Sequence, residues 1–79
     1  MSSFAQDLAE KLALDTVNAS EKYGNEDLPE EIARNIGSSS PTTEELFRTA
    51  VRVIISERRA RKFLEAKIAG FKASEDESG

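Results

Sequence analysis

The chain has no cysteine, no histidine and no tryptophan among its 79 residues. The first absence excludes a disulfide staple. The first two together remove the usual sulfur and nitrogen ligands of zinc. They also remove the commonest proton shuttles and nucleophile partners. No catalytic constellation remains, so the sequence predicts no enzyme, no metal centre and no cofactor. Long apolar runs are missing too. Nothing approaches the roughly 18 consecutive apolar residues of a membrane span. The opening stretch MSSFAQDLAEKLALD carries acids early and lacks a basic n-region, so it does not read as a signal peptide. A cytoplasmic chain without a membrane partner is the expectation.

A chain this short buries a small share of its surface, and its stability margin is thin. With disulfides and zinc excluded, oligomerisation is the remaining common aid for a small scaffold.

The net charge of -4 conceals an asymmetry. Residues 1–45 hold three basic and ten acidic side chains, residues 46–72 hold eight basic and two acidic ones, and the last seven add three acids. Such a chain can attract a copy of itself as readily as a nucleic acid.

Apolar periodicity predicts three helices and no strand. The first spans about 4–23. Ser3 and Gln6 have capping-box spacing, and Gly24 stands where a left-handed C′ residue is wanted. Its stripe runs through Ala5, Leu8, Ala9, Leu12, Ala13, Thr16, Val17, Ser20 and Tyr23, with Leu14 off the line. The second spans about 29–36. Pro29 suits the first helical position, Glu30 and Glu31 favour the positive end of the dipole, and Gly37 closes the element. Leu28, Ile32 and Ile36 are expected to face inward. After a loop containing SSSP, Thr42 and Glu45 give a second capping-box spacing. A third helix is predicted over about 43–72. One domain, 1–73, is expected, with residues 74–79 as a disordered acidic tail.

On a wheel of the third helix, Leu46, Phe47, Ala50, Val53, Ile54, Ala60, Leu64, Ile68 and Phe71 share one broad face, with Phe63 flanking it. Glu57 and Arg61 fall inside that face. The half from Leu46 to Ile55 is expected to form the core under the other two helices. The half from Ala60 to Phe71 outruns what such short partners can cover. An exposed row of Phe63, Leu64, Ile68 and Phe71 would be a sticky patch on a monomer. The expected solution is a homodimer through this helix, with Glu57 and Arg61 at the join between core and seam. Four apart with the acid first, that pair can bridge along one helix and set register when desolvated. The wheel leaves open whether the rod bends at Ser56–Arg59.

The alternative use of this helix is nucleic-acid binding. Seven basic residues lie between Arg48 and Lys67. The candidate face comprises Arg48, Arg52, Arg58, Arg59 and Lys62, with Arg61 nearby. The second helix, its turn and the start of the third also resemble a helix-turn-helix faintly, with Ala33 four before Gly37. Against this, the would-be recognition helix opens with Glu44 and Glu45, and the pI is near 4.8. A solvated basic face balanced by Asp7, Glu10, Asp15 and Glu21 is the plainer expectation. Glu26, Asp27, Glu30 and Glu31 cluster at a turn without calcium-loop spacing, and read as helix capping and dipole complements. The sequence therefore predicts an all-α, small three-helix bundle completed by homodimerisation. It points to a protein-binding regulator that modulates a larger protein partner.

Overall fold

The computed structural model describes residues 3–78, with side chains through Asp76. Three helices account for nearly all of them: α1 Phe4–Tyr23, α2 Leu28–Gly37 and α3 Pro41–Ser78. No strand occurs among the described residues.

Local chemistry sets the helix ends. The Ser3 hydroxyl accepts a hydrogen bond from the Gln6 amide at 3.0 Å. The reciprocal half of the expected box is not made, because the Gln6 side chain donates forward to Glu10 at 3.0 Å. Gly24 closes α1 with φ 67°, a left-handed conformation that glycine adopts without a Cβ clash. The cap of α3 stands two residues earlier than the T-x-x-E spacing suggests. Ser40 Oγ accepts from the Thr43 amide at 3.1 Å, and Pro41 follows as the first helical residue. Proline lacks an N–H and holds a helical φ, so it fits that position. The loop is thereby reduced to Ser38–Ser40.

At its other end, α3 runs six residues past the expected limit, so the described part of the 74–79 segment is helical. Gly79 lies outside the described residues. Nothing from Lys72 to Ser78 breaks a helix: there is no proline, and Ala73 and Glu75 are good helix formers. Gly70 meets no neighbour and does not interrupt the element. The helix has 38 residues, about 57 Å at 1.5 Å per residue. The longest dimension of the molecule is 60 Å, which leaves no room for a sharp bend at Ser56–Arg59.

The chain runs up, down and up. Gln6, Glu10 and Leu14 line one groove together with Leu46, Ala50 and Ile54. Further along, Asn18 and Glu21 both meet Arg58. Helix α1 is therefore parallel to α3. Helix α2 returns along it: Gly37 approaches Glu44, Ala33 lies by Phe47, and Glu30 meets Arg48.

The core is small. Ala9, Ala13 and Val17 of α1, Ala33 of α2, and Phe47 and Val51 of α3 are its buried apolar residues. Phe47 is its one large, fully buried side chain, at 0% exposure. The three alanines let short helices approach that ring closely. Leu8, Leu12 and Tyr23, expected in the stripe of α1, are exposed instead. Ile32 and Ile36 pack partly buried against the core, and Leu28 is half-buried.

Across the α2–α3 contact, Arg48 replaces apolar packing with an ion-pair cluster. Its guanidinium donates to Glu30 at 2.6 and 3.1 Å and to Glu44 at 2.9 Å. The hydrogen bond from Arg48, with the nearby charge of Arg48 and Arg34, holds the Glu30 carboxyl below the usual glutamate range, against a smaller desolvation effect. A lowered folded pKa contributes stability that is complete above the unfolded pKa. That stability is lost as the pH falls through the folded value. The thermal midpoint followed by circular dichroism should therefore drop as the pH is taken from about 6 to about 3, and the drop should be shallower for Glu30→Gln. An equal pH slope in the two proteins would remove Glu30 from the account.

Candidate functional site

The decisive geometry lies on α3. Its buried line runs Phe47, Val51 and the half-buried Ile55 and Arg58. The expected broad face is therefore split. Leu46, Ala50 and Ile54 are only half-buried and Val53 is 63% exposed. With Gln6, Glu10 and Leu14 of α1 they line an apolar groove of about 510 Å³. At 100° per residue, this side of α3 stands about 100° around from the buried line.

Glu57, Arg61, Leu64, Ile68 and Phe71 continue the groove side, not the buried side. From Ala50 to Glu75 the steps alternate strictly between four and three: Ala50, Ile54, Glu57, Arg61, Leu64, Ile68, Phe71, Glu75. That is a heptad seam. The wheel shows the apolar side chains but not that the bundle takes its core from the neighbouring face.

Beyond Arg58 the rod stands alone. Every side chain from Arg59 to Asp76 is exposed. Large apolar groups are included, from 40% at Ile68 to 66% at Phe63, with Leu64 at 52% and Phe71 at 63%. The expected uncovered row is therefore present, about 12 Å long from Phe63 to Phe71, on an exposed rod of about 27 Å. Phe63 lies off the seam, with Lys67 Nζ 5.4 Å from its ring centroid.

Glu57 and Arg61 sit where bundle gives way to rod. Arg61 Nε donates to Glu57 at 2.8 Å, and a second guanidinium nitrogen meets the same oxygen. That hydrogen bond, and the Glu57 charge, raise the arginine pKa further above its ordinary value. Each cancels the other's charge in the seam, so the pair is compatible with close approach of a second helix.

The basic candidates do not form one free face. Arg48 is held by Glu30 and Glu44, as above. Arg58 is held by Glu21 and donates to Asn18 at 2.7 Å. Arg52, Arg59 and Lys62 are exposed. Arg59 and Lys62 border a groove of about 560 Å³ that also contains Glu21 and Glu26. Glu21 is thus the one acid of the four expected counter-charges seen paired with this helix, and Glu30 is a partner the linear reading missed. The only signal for it was the (i, i+4) spacing of Glu44 and Arg48, which marks that side of the helix as an ion-pairing one.

Among the described residues no group of acids has the arrangement to hold a metal ion, and no helix is long and apolar enough to cross a membrane. No protein-family model matches the chain, and no curated protein or solved structure matches it.

Proposed function

We propose that this is a small cytoplasmic, non-enzymatic regulatory protein that homodimerises through α3 and modulates a larger protein. The observation that carries this reading is the exposed heptad seam of α3. Leu64, Ile68 and Phe71 lie in a row with no intramolecular cover, beyond a bundle that already encloses its core. Apolar rows of this kind on a soluble chain are interaction surfaces. A strict three–four spacing fits another helix better than an irregular pocket. Dimerisation through the rod leaves the α1–α3 groove around Leu14, Val53 and Ile54 open at each bundle, which is where a larger partner would dock.

Sedimentation equilibrium of the native chain tests the structural half. The expected mass is twice the 8.7 kDa of one chain at micromolar concentration. A monomer at high micromolar concentration rejects the reading. Mixing the chain with duplex DNA at low salt tests the competing use of the basic helix. No complex is expected, because Arg48 and Arg58 are already neutralised. A complex that dissolves steeply with salt would move the function to nucleic acid.

A further inference from the structure

We infer that the seam is completed only on association: in a single subunit the far half of α3, from about Ala60 on, frays, and pairing folds it. The inference rests on the dimer reading and adds a conformational step to it.

A helix outside a fold is held by little. Fixing its first turn is costly and each later residue adds only a small gain, so most helical stability in proteins comes from tertiary packing of an apolar face. The first half of α3 has that packing through Phe47 and Val51. It supplies the nucleus, and the rod has only to propagate from it. Beyond Arg58 the packing stops, since every side chain from Arg59 to Asp76 is exposed.

The local signals along the rod are unequal. Its near part is supported. Arg61 Nε donates to Glu57 at 2.8 Å, and Lys67 Nζ lies 5.4 Å from the Phe63 ring centroid, each contact spanning one turn. Its far part is opposed. Gly70 lowers the helical equilibrium on the order of 5-fold relative to alanine, because it gives up the most backbone freedom. The last turn contains acids and no base, and carboxylates there meet the negative end of the helix dipole. Phe71, the last large apolar member of the seam, follows Gly70 directly. The row of Leu64, Ile68 and Phe71 is therefore complete only when the helix continues through its weakest point. Covering that row supplies the apolar burial the rod lacks, so a second copy sets the helix as it binds. Association then carries an ordering cost, which lowers affinity for a given buried area.

Gly70→Ala tests the coupling. A Cβ at Gly70 meets nothing within 4 Å, and the position stands about 130° around α3 from the row of Leu64, Ile68 and Phe71, so the methyl adds no contact across the seam. Its effect is on helix propagation. Where the rod is frayed in the free subunit, the substitution favours the paired state, and the dissociation constant from sedimentation equilibrium should fall on the order of 10-fold. A rod already helical in the free subunit gains equally in both states. An unchanged dissociation constant therefore overturns the coupled step while leaving the dimer standing. A native chain that is monomeric at high micromolar concentration overturns the dimer reading and this inference with it. Amide exchange gives a second readout on the native chain. Diluted below its dissociation constant, it should lose protection over Ala60–Phe71 and keep it over Ala9–Val17, whereas above that constant both stretches should be protected. Protection over Ala60–Phe71 that does not change with concentration overturns the inference.

Discussion

Replacing both Leu64 and Ile68 by aspartate should give a monomer whose bundle is intact. The proposed dimer buries these two side chains in its seam. A carboxylate placed there must lose its water without gaining a partner, or take up a proton, and either costs several kcal/mol. Two such groups in each copy, four in the dimer, should raise the dissociation constant by at least about 1,000-fold, equivalent to roughly 4 kcal/mol. The isolated subunit loses nothing comparable. Both positions are exposed, as is every side chain of α3 from Arg59 to Asp76. Helical circular dichroism from α1, α2 and the first half of α3 should persist, and the thermal midpoint should no longer depend on concentration. Sedimentation equilibrium reads the mass, and amide exchange reads the bundle. Loss of protection in Ala9–Val17 would show that the seam residues belong to the core after all. A dimer that survives the double substitution would place the interface elsewhere.

Phe47→Ala should instead destabilise the whole bundle by about 3–5 kcal/mol. Phe47 is the only large side chain fully enclosed among the described residues, and α1, α2 and α3 all contribute to the ring around it. A phenylalanine removed from such a site costs about 3–5 kcal/mol, combining lost transfer free energy with the cavity left behind. A domain of this length has roughly 4–12 kcal/mol in total. The neighbours Ala9, Ala13 and Ala33 have no reach with which to refill the space. Val53→Ala on the same helix should change stability by no more than about 0.5 kcal/mol, since its side chain is mostly in water. Urea denaturation of both variants in the Leu64→Asp/Ile68→Asp background separates these effects from dimer linkage. A loss below about 1 kcal/mol for Phe47→Ala would mean that the core closes without its central ring.

The three helices and most of their ends were legible in the sequence because the signals are local. Ser3 caps from three residues away, Gly24 offers the left-handed backbone, and Pro29 lies in a first turn, whereas the start of α3 at Pro41 was misread as loop. The exposed row beyond Arg58 was legible for a related reason. Helix length follows directly from residue count, and a 20-residue α1 cannot cover a 38-residue α3. The last turns of α3 were misread because an acidic composition at the end of a chain resembles a solvated tail. No residue there forbids a helix.

By itself, then, the sequence determined the helical elements, their order and the excess of apolar surface on the third. Only the tertiary structure decided which side of α3 the bundle takes. Between Leu46 and Ile55, seven of ten residues are apolar and spread over much of the circumference, so periodicity has no preferred direction there. The choice fell to shape: Ala9, Ala13 and Ala33 admit the Phe47–Val51 edge, and Glu30 fixes Arg48 across 18 residues of chain. That packing turned the seam of Glu57, Arg61, Leu64, Ile68 and Phe71 outward, about 100° from the core.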